Sequence, residues 1–411
     1  MPLPQIESVH AAATPTSTGA RRHRSRLSSI VCWPFFIACV ALIAFGLLVC
    51  WSAVQTDADY SFSRQLLGVA MGIVACMALW MFDYRKFGAL TYPLLIVSVI
   101  LILSPHLPFI GRTVKGATSW IYIGMQVQPA EFAKVTVVLF AASLLSRYNG
   151  RLFDLREYCK CVGLLLVPFL CIMTQPDLGT GLVYLFISAV VLVMGGARLR
   201  YLLITLAAFI ATIVAVFAVD EVLKYQLPDG TWEYKLLKNY QRTRLFVFMN
   251  QDSLSTTDEG YNLKQAMIAI GSGGLFGKGL GFSTQSALGF LPEAPTDFIF
   301  CVLAEELGFF GVVVLIALYA LLIGSAIYIA RTCGNLFGML IVCAIVGMWL
   351  FQILENIGMC CGLMPITGIP LPFVSYGSSF MTVNFAMLGL ISSVYSHEMA
   401  PMTGAGYGSS R

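Results

Sequence analysis

The run Phe290-Leu291-Pro292-Glu293-Ala294-Pro295-Thr296-Asp297-Phe298-Ile299-Phe300 carries a polar, proline-broken segment into an apolar helix and leaves a carboxylate at the junction. At a membrane surface Asp297 could act as a general base on a substrate held by a lipid tail, whose head group would lie at that depth. An architectural role accounts for the same residues: Thr296 as an N-cap and Asp297 as a first-turn carboxylate favoured by the helix dipole. Both readings stand at this point.

Glu305 and Glu306 follow on the same helix, about 12–14 Å deeper at 1.5 Å per residue. Carboxylates at such depth face the protein interior and need a partner, for which Lys134 is the candidate. They would form either an interhelical pair or part of a proton or substrate path. The run Gln128-Pro129-Ala130-Glu131-Phe132-Ala133-Lys134 opens another helix, with Pro129 suited to its first turn and Glu131 and Lys134 on one face. That spacing predicts an ion pair that fixes helix packing; otherwise Lys134 would meet a phosphate. Trp120 follows Arg112 and Lys115 and reads as an interfacial anchor or as a stacking platform for a sugar. Asp177, in Gln175-Pro176-Asp177-Leu178-Gly179-Thr180, is a turn or capping residue with a possible substrate role. Arg242 and Arg244 bring two guanidinium groups whose geometry suits pyrophosphate, and Lys278 follows the glycine run Gly271-Ser272-Gly273-Gly274, which fits no Walker pattern. Proline-rich 365–379 cannot be a regular spanning helix and is expected to wall the site facing Asp297.

The elements that hold these groups follow from composition. Of 411 residues, 58% are hydrophobic and 11% charged, a balance that excludes most soluble enzymes and indicates a polytopic membrane protein. Apolar stretches of spanning length are expected at 30–54, 66–83, 88–104, 131–146, 161–174, 180–196, 200–219, 299–330, 336–354 and 378–396. The fold expected is thus all-α and polytopic, with about ten transmembrane helices and a large extracytoplasmic loop, 220–298, between the seventh and eighth. Residues 1–29 read as a disordered cytoplasmic tail ending in the basic cluster Arg21 to Arg26, residues 30–396 as the transmembrane domain, and 397–411 as a cytoplasmic tail. Cationic short loops agree with cytoplasmic termini, and the first apolar run is too long for a signal peptide core. The 12 cysteines fall mostly in apolar runs and only 4 histidines occur, so no His/Cys metal site is expected. The net charge of +4 does not suggest a nucleic-acid partner. No inverted repeat of broken helices, the signature of many secondary transporters, is evident.

Taken in order, QPAEFAK at 128–134, QPDLGTG at 175–181, NYQRTRL at 239–245, IAIGSGGLFGKGLG at 268–281, FLPEAPTDFIF at 290–300, AEELG at 304–308 and PLPFVSYGSS at 370–379 resemble the SEDS family (shape, elongation, division and sporulation), typified by RodA and FtsW. The similarity runs from the first span to the last and is nearer the elongation branch. Pro295 stands where the family commonly has histidine, and Ser378 where it has glycine. The resemblance implies a bacterial plasma-membrane glycosyltransferase that polymerises lipid II at the outer face, with inversion at the donor's anomeric carbon and release of the undecaprenyl pyrophosphate. It implies Asp297 as the catalytic aspartate and Trp120, Glu131, Lys134 and Asp177 as further site positions. The implied partners are lipid II, undecaprenyl-linked glycan, a class B penicillin-binding protein and elongation-complex membrane proteins. Countercharge for the pyrophosphate would come from Lys134, Arg242, Arg244, Lys278 or a divalent cation, Mg or Mn, carried mainly by substrate. A lipid II flippase using Glu305, Glu306 and Lys134, a division-type polymerase, and a non-catalytic scaffold for the transpeptidase are the rival readings.

Overall fold

The structure, a computed structural model, describes residues 31–55, 60–107, 111–114, 117–122, 126–175, 177–226, 232–233 and 258–399. The expected tail at 1–29 and residues 400–411 of the second tail lie outside these, as do Arg242 and Arg244.

A helix occupies each of the ten apolar stretches: α1 (Trp33–Gln55), α2 (Phe62–Met81), α3 (Thr91–Leu103), α4 (Pro129–Ser146), α5 (Leu155–Ile172), α6 (Leu178–Met194) and α7 (Leu199–Val222), then, beyond α8 (Asp258–Ser272) and the short α9 (Thr284–Ala287), α10 (Ile299–Thr332), α11 (Leu336–Cys360) and α12 (Ser378–Met399). Among the described residues seven of them, α1, α2, α4, α7, α10, α11 and α12, are long and apolar enough to cross a membrane, and α3 and α6 are shorter apolar helices. The chain is a polytopic, mostly helical membrane protein. Helix α7 makes the point most directly, since none of its apolar window is buried within the protein. An apolar surface of that extent needs lipid or a membrane partner to cover it.

The large loop is not all-irregular: it contains α8 and α9, with β4 (Tyr225–Gln226) paired to β5 (Trp232–Glu233). A second addition to the all-α expectation is an antiparallel sheet between α3 and α4, in the order β1 (Gly111–Val114), β2 (Ala117–Tyr122), β3 (Gln126–Val127). These strands are too short for periodicity to reveal them.

Alternate helix ends gather at two poles. At one, Glu398 accepts from Tyr84 Oη (2.6 Å), Arg85 Nη2 (2.7 Å) and the Gly334 N–H (3.1 Å), fastening the end of α12 to the α2–α3 and α10–α11 connections. Burial and the bond to Glu398 hold the Tyr84 phenol well above the ordinary tyrosine range, so it remains a donor. At the other pole lie the β1–β3 sheet, the start of α10 and the segment between α11 and α12. Helices α2 and α12 meet closely between the poles because side chains there are absent: a Cβ on Gly72 would reach 2.8 Å from the Phe385 ring, and one on Gly389 would lie 2.9 Å from Cys76 Cα.

Helix α10 is broken. Gly308 has φ 63° and ψ −162°, so two helical pieces join at a left-handed residue inside the long apolar run. The backbone groups freed at the break pair with the glycine loop after α8. The Lys278 and Gly279 N–H groups donate to the carbonyls of Glu305 (3.0 Å) and Glu306 (2.9 Å), and the N–H groups of Phe309 and Phe310 donate to the carbonyls of Gly274 (2.9 Å) and Leu275 (3.2 Å). A break at membrane depth is tolerated because protein, not lipid, receives the unpaired groups. The close backbone contact also explains the glycines: a Cβ on Gly308 would reach 2.8 Å from the Leu275 carbonyl.

Candidate active site

Glu293 creates the turn that presents Asp297. At φ 58° it bends the chain so that its carbonyl accepts from the N–H groups of Thr296 (3.2 Å), Asp297 (3.1 Å) and Phe298 (3.3 Å). Its carboxylate accepts from Tyr60 Oη (2.7 Å) and Thr296 Oγ1 (3.2 Å). The expectation that Thr296 caps α10 is therefore corrected: the N-cap is Phe298, which has no capping side chain, and Asp297 precedes the helix instead of lying in its first turn. The turn satisfies its own donors through Glu293, which leaves Thr296 no capping work.

Three successive carbonyls anchor this turn. Pro295 O accepts from the Tyr376 N–H (2.9 Å), Thr296 O from Ser375 Oγ (2.6 Å) and Asp297 O from Asn356 Nδ2 (2.8 Å). All three donors come from α11 or the segment that follows it. Ser375 is itself held, accepting at Oγ from the Leu371 N–H (2.8 Å) and at its carbonyl from Gln65 Nε2 of α2 (3.3 Å). With the main chain fixed, the Asp297 carboxylate lies against Gly368: a Cβ there would stand 3.0 Å from Asp297 Oδ2. The proline-rich segment thus borders Asp297. Asp297 itself is half-buried, neither sealed in the core nor fully in solvent.

Asp177 approaches the same segment from α6. It is the N-cap of that helix, accepting from the Thr180 N–H (3.0 Å) and Thr180 Oγ1 (2.9 Å), and Gln128 Nε2 adds a third donor at 3.1 Å. A Cβ on Gly179 would sit 3.1 Å from the Thr367 carbonyl and 3.8 Å from Asp177 Oδ1. Residues 367–369 are therefore flanked by both acids. Thr367 Oγ1 donates to the buried Glu355 carboxylate.

The Gln128 N–H reaches Ser379 Oγ at 3.4 Å, and one turn further Lys134 pairs with Glu131 at 2.6 Å. Both charges are buried, and the Lys134 ammonium lies 5.5 Å from the centre of the Phe380 ring. The ion pair expected from the i,i+3 spacing is present. Lys134 is not the partner of Glu305, however. That carboxylate accepts from Lys278 Nζ (2.5 Å), Thr284 N–H (2.9 Å) and Thr284 Oγ1 (2.7 Å), while Glu306 accepts from Ser52 Oγ (2.7 Å). A partner three residues away captured Lys134, and the glycine loop carried Lys278 to Glu305 across the helix break.

Trp120 lies half-buried on β2, with Arg112 as its Cα partner on β1. Its neighbour Ser119 donates to the Gln175 carbonyl at 3.3 Å, and Gln175 Nε2 donates to the Ile102 carbonyl, so Trp120 belongs to the pole that holds Asp177. Gln128, Gln175 and Asn356 were not singled out from sequence as site residues. A buried amide among apolar residues was the available signal. Among the described residues no group of three or more His, Cys, Asp or Glu side chains is arranged to hold a metal ion.

Known proteins resemble this chain in sequence and in fold. The profile of a family described as cell cycle proteins, covering FtsW, RodA and SpoVE, matches residues 33–400. Stage V sporulation protein E of Bacillus subtilis is 33% identical over 372 residues, spanning 87% of this chain and 95% of its own. Peptidoglycan glycosyltransferase MrdB of Escherichia coli is 34% identical over 363 residues, spanning 87% of this chain and 92% of its own. A solved chain from a peptidoglycan synthase complex, described for its coordination of polymerization and crosslinking, superposes with a TM-score of 0.73 at 30% identity, covering 89% of this chain and 98% of that one.

Proposed function

The chain belongs to the FtsW, RodA and SpoVE family of cell cycle proteins, and from that premise we propose that it is a peptidoglycan glycosyltransferase polymerising lipid II, with Asp297 as its general base. The observation that carries the assignment of the base is the fixed turn: an aspartate at the head of α10 whose own carbonyl and the two before it are each held by a donor. Preorganisation of this kind lets a carboxylate meet a hydroxyl without reorganising at the moment of reaction.

Asp297 removes the proton from the acceptor sugar's 4-hydroxyl as that oxygen attacks the anomeric carbon of the lipid-linked donor. The undecaprenyl pyrophosphate departs from the opposite face, and an α-linked donor gives a β-linked product. Trp120 offers an aromatic face to a sugar ring, and Asp177 a carboxylate across residues 367–369 from the base. Lys134 and Lys278 are already paired within the protein, so the remaining cationic candidates for the pyrophosphate are Arg242, Arg244 and a divalent cation carried by the substrate.

A flippase would need free polar groups along the mid-membrane path. Glu305 is instead engaged by Lys278 and Thr284, and Lys134 by Glu131, which supports the polymerase. Action for cell elongation, at the outer face of the bacterial plasma membrane with both termini cytoplasmic, and beside a class B penicillin-binding protein and elongation-complex membrane proteins, is part of the same proposal.

The test is purified protein with its transpeptidase and labelled lipid II, wild type against Asp297→Asn. Glycan chains from the wild type alone support the base. Equal polymer from both variants overturns the assignment of the base, and polymer from neither leaves a scaffold.

A further inference from the structure

Asn356 is fully buried near the end of α11, and its amide nitrogen bridges two carbonyls, one on each of the two segments that meet at the Asp297 carboxylate. One is that of Asp297 itself, at 2.8 Å, and the other that of Ile369, at 2.8 Å, the residue after the glycine that touches the carboxylate. Ser375 also joins the turn to the facing segment, through the Thr296 carbonyl and the Leu371 N–H, but neither it nor Tyr376 lies on a helix. Asn356 alone among these donors ties the aspartate and its facing wall to the same rigid helix.

We infer that Asn356 is a positioning residue for the reaction: its two N–H groups set the separation between the Asp297 carboxylate and the Gly368 wall, and hence where the acceptor hydroxyl must sit. The inference rests on the polymerase reading and deepens it. An amide is required because both targets are acceptors. Aspartate, nearly the same shape, would turn an ionised oxygen toward two carbonyl oxygens and lose both bonds. Mislocating a reacting group by about 1 Å costs on the order of a hundredfold in rate.

The experiment compares wild type, Asn356→Asp and Asn384→Ala, the last a control that removes another buried asparagine, which accepts from Trp349 Nε1 at 2.8 Å away from the turn. Two readouts are taken: steady-state polymerisation of lipid II, and hydrogen exchange of the amides in 293–298 and 365–371, which needs no substrate. Expected for Asn356→Asp are a kcat lowered about tenfold to a hundredfold, a KM for lipid II within about twofold, and faster exchange in both segments. Asn384→Ala should leave kcat and both segments as in wild type. A changed KM with unchanged kcat, an equal loss of kcat in both variants, or exchange unaltered by Asn356→Asp overturns the inference. Should Asn356→Asp fail to fold, Asn356→Ser, which keeps one donor, is measured in the same way, and wild-type exchange in both segments overturns the inference. Absence of polymer from wild type would instead defeat the polymerase reading, and the exchange data would still decide whether Asn356 holds the two segments.

Discussion

The Lys278 ammonium stands 2.5 Å from the Glu305 carboxylate, which is 1% exposed and lies beside the break in α10. Two donors from Thr284, with the Gln285 N–H and Ser272 Oγ, complete the shell, so the carboxylate organises the loop that supplies the backbone partners of the break. Glu305→Gln should cost about 3–5 kcal/mol, because the charged hydrogen bonds from Lys278, Thr284 and Gln285 are weakened or lost together. Lys278→Met should cost about 1–2 kcal/mol, because Thr284 remains. In detergent, unfolding midpoints should fall in the order wild type, Lys278→Met, Glu305→Gln, and the double variant should lose less than the sum. A Lys278→Met protein with the wild-type midpoint and no polymerisation would return this lysine to phosphate binding.

Glu131 and Lys134 allow a cleaner separation of structure from chemistry. Removing either charge leaves the other buried, a loss of about 3–5 kcal/mol, whereas removing both with Glu131→Gln and Lys134→Met should recover most of it. Polymerisation should be weakened in the single variants and follow the midpoint back in the double variant. Recovery of stability without recovery of turnover would assign Lys134 a direct part in binding pyrophosphate.

The helices were legible because a span of about 20 apolar residues is a local property of the chain. Asp297 stood out for a related reason, a lone acid where a polar run meets an apolar one. What escaped was settled by contacts distant in sequence. The break at Gly308 depends on backbone groups of 274–279, some thirty positions upstream, and a single glycine in an apolar run does not announce it. Thr296 fits the N-cap pattern, yet Glu293 at positive φ had already taken the local donors. The Glu131–Lys134 pair is legible from its i,i+3 spacing, whereas the partner of Glu305 is not, because Lys278 reaches it from the loop after α8.

At the opposite pole, Glu398 gathers Tyr84, Arg85 and Gly334 into one fastening. Glu398→Ala should lower stability by about 2 kcal/mol, since a buried phenol loses its acceptor. Below the unfolding transition, turnover should be unchanged, because the cluster touches none of the groups around Asp297. Thermal unfolding and lipid II polymerisation on the same preparation check both halves. Lost turnover at full stability would show that the two poles are coupled.

Gly368 offers the sharpest probe of the space beside the base. Its φ of 74° disfavours any side chain, and a Cβ would stand 3.0 Å from Asp297 Oδ2. The backbone part of a change to alanine should cost about 1–2 kcal/mol. The larger effect should be on rate, because the methyl group displaces the carboxylate or occupies the position of the acceptor hydroxyl. Gly368→Ala is expected to fold and reach the membrane in near-normal amounts, with polymerisation reduced at least about tenfold. Gly150 provides the comparison: its φ is 72° and a Cβ there meets nothing within 4 Å, so Gly150→Ala bears the backbone cost alone. Equal activity in the two alanine variants would mean that the gap between Gly368 and Asp297 is not where the acceptor reacts.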